Sequence, residues 1–268
     1  MNPFLTWTGG KRWLVQNYPH LLPRRVKGRY IEPFFGGGTM FFSMTPQRSI
    51  LSDLNSELIT TYKAVKENYN EVVLLLKGHE SNHSKEYYYL VRSQRPVQPV
   101  AKAARLIYLN RTCFNGIYRV NLKGEFNVPI GTKSSVFREE DDWAGWSAAL
   151  GGAELVCADF EQQIEIASKG DFLFVDPPYT VRHNYNGFIK YNEKLFSWSD
   201  QERLADALEG ARKRGARILI TNANHQSVKS LYKRGFNQQV VSRYSSIAAS
   251  GTKRAAFEEL IITANVKG

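Results

Sequence analysis

The chain has 268 residues, of which 43% are hydrophobic and 13% aromatic, and its net charge is +11. This composition argues against a disordered chain, and the charge is typical of a polyanionic partner, nucleic acid before an anionic membrane. The charge alone is explained equally well by a basic surface without a partner. Because Cys113 and Cys157 form no CxxC pair and no apolar run approaches the ~20 residues of a membrane span, we expect a soluble, cytoplasmic protein without disulfides or a metal site. A monomer is a separate expectation, which these features do not decide.

The first motif in the chain is Trp7-Thr8-Gly9-Gly10-Lys11. A Gly-Gly pair lets backbone amides approach a ligand closely, and Trp7 and Lys11 add a flat apolar wall and a point charge. An ordinary turn before a helix explains the motif equally well.

A second glycine-rich turn, residues 35–39, follows a predicted strand at 29–34 and precedes an apolar helix. Strand, glycine turn and helix are typical of nucleotide binding, although this turn is neither a phosphate loop nor a complete GxGxxG. Asp53 ends the second predicted strand, 17 residues beyond Gly36, where an acid can hydrogen-bond ribose hydroxyls. The alternative is an aspartate that caps the next helix. We favour ribose binding.

The alternation of strands and helices stops after Asp53 for about 100 residues, which is longer than a connection within a sheet should be. Helices are predicted at 56–77, 85–91 and 101–110, and a hairpin-like loop near 111–129. We therefore predict one domain of residues 1–55 and 146–268 that holds the sheet, interrupted by an inserted, mainly helical domain of residues 56–145.

The insert is strongly basic, with ten Lys or Arg against three Glu from His79 to Arg138, a net charge of +7. Basic side chains bind phosphates and aromatic side chains can wedge between bases, so we prefer DNA binding to a solvated basic face. The acidic run 139–142 is interpreted as a solvated boundary that faces away from DNA. The candidate DNA contacts are Arg111, Phe114, Asn115, Arg119, Asn121, Lys123 and Lys133.

The sheet is predicted to resume at 153–160. Asp159 and Phe160 could supply an acceptor and a wall for an adenine ring, or Asp159 could only cap the next helix, and the sequence favours neither alternative. The next strand ends in Asp176-Pro177-Pro178-Tyr179. Ligands bind at the carboxyl ends of strands in open α/β sheets. The Asp176 carboxylate, the Pro177 carbonyl and the Tyr179 ring together suit a planar group that bears an NH2.

The last third of the chain is predicted to close the sheet. Residues 180–191, with Arg182, are interpreted as a loop that closes on substrate. Residues 199–202 are interpreted as a capping box that starts a helix ending at Gly215, before a strand at 217–221. An antiparallel pair at 236–244 and 258–264 follows, joined by a basic loop in which Lys253 and Arg254 are candidate phosphate contacts.

Taken together, the motifs at 7–11, 32–38, 110–119 and 176–179, with Asp53, resemble the Dam family of DNA adenine-N6 methyltransferases, in the family's order over most of the chain. The resemblance implies an α/β fold, a Rossmann-like, mostly parallel seven-stranded sheet with a reversed last strand, and S-adenosylmethionine as cofactor. It implies cofactor contacts from Trp7, Lys11, Asp53 and Asp176, and our further candidates for cofactor binding are Glu32, Phe35, Gly36, Gly38, Asp159 and Phe160. It also implies that residues 1–55 and 146–268 form the catalytic domain and that the insert is the DNA target-recognition domain.

The same resemblance implies methyl transfer to N6 of an adenine flipped out of double-stranded DNA, with Asp176, Pro177 and Tyr179 at the reacting base. Arg119 matches the arginine that reads the first guanine of GATC, and Phe114 an aromatic that intercalates beside the target, with Asn115 as a partner in that readout. This chain has Thr132 and Lys133 where relatives often carry aromatics. The alternatives are an RNA, cytosine-N4 or glutamine methyltransferase, or a DNA-binding regulator without turnover.

Overall fold

The protein is represented by a computed structural model that describes residues 1–121, 123–181, 196–244 and 256–266. Its helices are α1 (Arg12–Asn17), α2 (Thr39–Met44), α3 (Ser56–Ser81), α4 (Lys85–Ser93), α5 (Pro99–Thr112), α6 (Trp143–Gly151), α7 (Phe160–Glu165), α8 (Trp198–Lys213) and α9 (Gln226–Leu231). Its strands are β1 (Tyr30–Glu32), β2 (Ser49–Asp53), β3 (Ala153–Cys157), β4 (Phe172–Val175), β5 (Arg217–Ala223), β6 (Asn237–Tyr244) and β7 (Ala256–Ala264).

These strands form one sheet in the order β3-β2-β1-β4-β5-β7-β6. Strand β4 is buried throughout, as expected for a strand covered on both faces, and pairs in parallel with β1 and β5. Strand β7 runs antiparallel to both of its neighbours, β5 and β6. The predicted mostly parallel seven-stranded sheet with a reversed last strand is therefore confirmed.

The described contacts divide the chain into two compact units, and the first consists of Met1–Arg12, Phe35–Gln47 and Leu51–Cys157. Within it, the N-terminal segment lies against the helices. The Phe4 ring is 5.0 Å from the Tyr62 ring and 5.4 Å from the Trp146 ring, between ring centroids. The Asn110 side chain exchanges two 2.8 Å hydrogen bonds with the backbone of Thr6. The core of this unit therefore depends on its first residues.

The second unit consists of Trp13–Phe34, Arg48–Ile50 and Ala158–Gly268. Asp171, directly before β4, is its main polar anchor, because its buried carboxylate accepts hydrogen bonds from the backbone and guanidinium of Arg29 and from Ser168. The Arg29 Nη2 to Asp171 Oδ2 distance is 2.7 Å. The division of the chain at residues 55 and 146 stays a prediction.

Two local predictions are corrected. The capping box of α8 begins at Ser197, two residues earlier than predicted: the Asp200 amide donates to Ser197 Oγ at 3.2 Å, and the Ser197 amide donates to Asp200 Oδ2 at 2.8 Å. The acidic run is not wholly solvated, because the Asp141 side chain is only 6% exposed and pairs with Arg111. Its neighbour Asp142 caps α6 by accepting from the Gly145 amide.

Candidate active site

The glycine turn of the first unit is tied to Asp53. The Gly36 amide donates to Asp53 Oδ2 and the Asn55 amide donates to Oδ1, each at 2.9 Å, while Tyr62 OH donates to the Gly36 carbonyl at 3.0 Å. The cap of α3 is Asn55 instead of Asp53, since the Asn55 side chain accepts from the first turn of that helix. Burial raises the pKa of Asp53, and backbone hydrogen bonds from Asn55, Gly36 and Leu54 oppose that shift.

Two glycines of this turn are required by neighbouring aromatic side chains. A Cβ atom at Gly37 would lie 2.6 Å from Trp7 Cβ, so the side chain of Trp7 occupies the space left by this glycine. Gly38 has a φ of +67°, and a Cβ there would lie 2.8 Å from the ring of Phe35. The Trp7 ring also stacks on Tyr118, with 5.1 Å between centroids. The structure thus brings Trp7, Phe35, Gly36, Gly38 and Asp53 together.

Two further predicted cofactor contacts are buried charged side chains. Lys11 is 4% exposed and its Nζ donates to the Gly9 carbonyl at 2.7 Å. Glu32, at the carboxyl end of β1, is 3% exposed and accepts from Tyr30 OH at 2.6 Å. Burial, and then the charge of Glu32, raise the pKa of Tyr30 well above its usual range, which keeps the phenol protonated as a donor.

Asp176 follows the last residue of β4, where the two prolines end the strand. Its carboxylate is oriented by the neighbouring strand β5, since Thr221 Oγ1 donates to Asp176 Oδ1 at 2.7 Å. The residue as a whole is half-buried. Such an acid can accept a hydrogen bond from an amino group at the carboxyl edge of the sheet.

The rest of this motif is held by side chains from two other elements. Gln201 on α8 donates from Nε2 to the Pro178 carbonyl at 3.4 Å, and its Oε1 accepts from Asn222 at 3.1 Å. Tyr179 OH donates to Glu259 Oε2 on β7 at 2.8 Å. The Asp-Pro-Pro-Tyr segment is therefore fixed by contacts from β5, α8 and β7.

Asp159 and Phe160 lie at the start of α7. The Asp159 carboxylate caps this helix by accepting from the Glu161 amide at 3.0 Å, and it also accepts from Arg203 Nη2 at 2.9 Å. The Phe160 ring stacks on Phe34 with 5.3 Å between centroids, and the Arg203 guanidinium lies 4.9 Å from the Phe160 ring. The helix cap that the sequence suggested is present, and binding of a ligand by these residues stays a prediction.

The hairpin-like segment of the first unit carries most of the predicted DNA contacts. An isolated bridge joins Val120 to Phe126. Arg119 is exposed and its Nε donates to Asn127 Oδ1 at 2.8 Å, so its guanidinium is directed by a local partner. Asn121 Oδ1 accepts from two amides of the turn and thus shapes the hairpin. The exposed side chains among the other predicted contacts are Phe114, Asn115, Lys123 and Lys133.

Arg111 differs from these residues because it is buried, with only 3% of its surface exposed. Its guanidinium donates to the carbonyls of Phe4 and Val136 and to both oxygens of Asp141. It also lies 5.2 Å from the ring of Trp143. Because the guanidinium is buried among these partners, the structure corrects the prediction of a DNA contact and gives Arg111 a structural role.

The sequence did not identify three residues that contact the site: Thr221, Gln201 and Glu259. Each lies inside a regular element, where no local pattern separates it from a core or surface position. The predictions for Arg182, Lys253 and Arg254 fall outside the described residues.

Within the described ranges, no group of three or more His, Cys, Asp or Glu side chains is arranged to hold a metal ion. Over those ranges, no helix is both long and apolar enough to span a membrane.

Comparison with known proteins identifies the family. The model of the D12 class N6 adenine-specific DNA methyltransferases matches residues 7–247. The type II methyltransferase M1.LlaDCHI of Lactococcus lactis subsp. cremoris is 35% identical over 98% of this chain and 95% of its own length. The type II methyltransferase M.MjaIII of Methanocaldococcus jannaschii is 33% identical over 95% of each chain, and the DNA adenine methylase of Escherichia coli K12 is 32% identical over 96% of this chain and 93% of its own. The chain therefore belongs to the D12 class N6 adenine-specific DNA methyltransferase family, as its resemblance to the Dam family predicted.

Proposed function

We propose that this enzyme binds S-adenosylmethionine and methylates the adenine of GATC in double-stranded DNA. The side chains near the glycine turn fit such a cofactor chemically. The amides of Gly36 and Asn55 hold the Asp53 carboxylate beside the glycine turn, where an acid can accept hydrogen bonds from ribose hydroxyls. The other residues that we propose as cofactor contacts are Trp7, Lys11, Glu32, Phe35, Gly36, Gly38, Asp159, Phe160 and Asp176. When bound, S-adenosylmethionine supplies an electrophilic methyl group.

Asp176 is the residue that carries the proposal for the reaction. The N6 amino group of adenine is a poor nucleophile, because its lone pair is delocalised into the ring. Asp176 and the Pro177 carbonyl accept hydrogen bonds from N6 and stabilise the positive charge that develops there. The supporting observation is that Thr221 fixes Asp176 Oδ1 at the carboxyl end of β4 with a 2.7 Å hydrogen bond. A preset acceptor raises the rate by orientation as well as by charge.

The target base has to leave the duplex before N6 can reach Asp176. In our proposal the flipped adenine stacks on Tyr179, and the exposed Phe114 intercalates beside the vacated position. Asn115 and Arg119 read the flanking bases. Asn121, Lys123 and Lys133, with Arg182, Lys253 and Arg254, contact the DNA strands.

The reaction and the target are tested by expressing the enzyme in a host without DNA methylation and sequencing the genomic DNA for N6-methyladenine. We expect modification at GATC with the wild type and none with Asp176→Ala. The matched control is Asp206→Ala, since Asp206 is an exposed aspartate of α8. Methylation by Asp176→Ala at the wild-type level would refute the proposed mechanism, and methylation of another sequence would refute the target.

Arg119 offers a separate test of sequence readout. If its guanidinium makes a bidentate contact to guanine, Arg119→Ala should reduce discrimination at that base pair by about 1–3 kcal/mol. The measurement compares kcat/KM on duplexes with GATC and with the outer guanine replaced. An equal loss of activity on both duplexes would instead make Arg119 a contact to the backbone.

A further inference from the structure

Glu259 is a buried acid to which the mechanism above gives no task. It lies on β7, opposite Ala223 of β5, and only 3% of its surface is exposed. Burying a carboxylate is costly unless it is hydrogen-bonded. The groups that bond to Glu259 should therefore explain why an acid is buried in this sheet. Its neighbour Glu258 is exposed and accepts from Asn224 Nδ2 at 2.6 Å.

The partner of Glu259 is the tyrosine of the Asp-Pro-Pro-Tyr motif. Tyr179 OH donates to Glu259 Oε2 at 2.8 Å, across 80 residues of sequence. Burial, followed by the charges of Asp176 and Glu259, raises the pKa of Tyr179 well above its usual range. The phenol therefore keeps its proton and remains a hydrogen-bond donor to Glu259 Oε2.

This hydrogen bond completes a set of three. Thr221 orients the Asp176 carboxylate, Gln201 holds the Pro178 carbonyl, and Glu259 holds the far end of the Tyr179 side chain. A tyrosine ring turns about two side-chain bonds, so a fixed hydroxyl at its tip sets the plane of the ring. The first two contacts orient the groups around N6, and the third orients the surface proposed for the base itself.

We infer that Glu259 is a positioning residue for methyl transfer, which acts through the hydroxyl of Tyr179 to fix the plane on which the flipped adenine stacks. The inference rests on the proposed function, because it needs Tyr179 to be the stacking surface. Glu259 touches no reacting atom. Its loss should therefore lower kcat while it leaves the affinities for S-adenosylmethionine and DNA nearly unchanged. Misplacement of a reacting group by about 1 Å can cost about 100-fold in rate, so we expect kcat to fall by about 10- to 100-fold.

The test compares Glu259→Ala, Glu259→Gln and Tyr179→Phe in single-turnover methylation of a GATC duplex, with Glu258→Ala as the matched control from the same strand. Glu259→Ala and Tyr179→Phe should each lower the rate, and the double variant should be no slower than the slower single variant, because both changes break the hydrogen bond between Tyr179 and Glu259. Glu259→Gln should recover most of the rate, since its amide oxygen accepts from the same hydroxyl. Glu258→Ala should match the wild type.

A second readout follows the base directly. The DNA carries 2-aminopurine in place of the target adenine, and its fluorescence should still rise when the Glu259→Ala enzyme binds. The final level should differ from that with the wild type, because the flipped base stacks on a less ordered ring. Wild-type rates in Glu259→Ala, or in Tyr179→Phe if the alanine variant does not fold, would overturn the inference. So would additive losses in the double variant, or a Glu259→Gln enzyme as slow as Glu259→Ala. Asp176→Ala is assayed in parallel, and its activity would overturn the proposed function instead.

Discussion

Arg111 allows a sharp test between a structural role and a role in DNA binding. We consider Arg111→Met, which keeps an apolar stem and removes the guanidinium. The Arg111 and Asp141 side chains are 1% and 6% exposed, so the variant leaves a buried carboxylate without its cation. It also removes donors from the carbonyls of Phe4 and Val136. Removal of one partner of a buried ion pair costs about 3–5 kcal/mol, and we expect the free energy of unfolding to fall by that amount.

The assay is urea unfolding followed by circular dichroism, combined with DNA binding at several salt concentrations. Arg111→Met should shift the unfolding midpoint strongly, whereas the slope of log Kobs against log salt concentration should stay at its wild-type value. The control is Lys123→Met, because Lys123 is exposed on the hairpin-like segment. If Lys123 contacts a phosphate, this variant keeps its stability and loses about 0.9 from the magnitude of the slope. A stable Arg111→Met protein with a reduced slope would refute the structural role.

Two further predictions concern stability and reactivity. Burial alone would raise the pKa of Asp171, but hydrogen bonds from Arg29 and Ser168 hold this pKa below its usual value. The carboxylate therefore stabilises the fold at pH values above its pKa in the unfolded chain, which is about 3.9. Asp171→Asn should cost about 2–3 kcal/mol at pH 7, and urea titrations at several pH values should show the difference from wild type shrinking as the pH falls through the lowered folded pKa. Burial raises the pKa of the Cys113 thiol to about 11, whereas Cys157 is exposed. Iodoacetamide at pH 8 should therefore modify Cys157 first, as mass spectrometry of peptides can check, and rapid labelling of Cys113 in the native protein would contradict its burial.

Much of the sheet could be predicted because its signals are local. The run Phe172–Val175 is apolar throughout and two prolines follow Asp176. Residues that are adjacent in sequence therefore predict both the buried strand and the place where it ends. The reversed last strand was predicted through resemblance to a family. The capping box shows the limit of a local signal. Both Ser197 and Ser199 have an acid three residues later, and Glu202 of the second pair instead accepts from Trp198 Nε1 at 2.8 Å.

The unpredicted parts of the site depend on partners that are distant in sequence. Thr221 meets Asp176 across 45 residues, and Glu259 meets Tyr179 across 80. The pairing register of β5 and β7 brings them there, and the sequence of each strand alone does not reveal it. The same reason explains the misinterpreted acidic run. Asp141 is buried by Arg111, 30 residues earlier, although a run of four acids is ordinarily solvated.

The position of the N-terminal segment has a consequence for synthesis on the ribosome. Thr6 pairs with Asn110, and the indole of Trp146 donates to the Asn2 carbonyl at 2.7 Å, across 144 residues. At roughly 5–20 residues per second, the first residues wait on the order of ten seconds for these partners to be made. Phe4 and Leu5 are buried in the folded protein, and Phe4 lacks its Trp146 partner throughout that interval. The first unit can therefore close only after its last helix has left the ribosome, and a nascent chain stalled before Trp146 should present these apolar residues to chaperones.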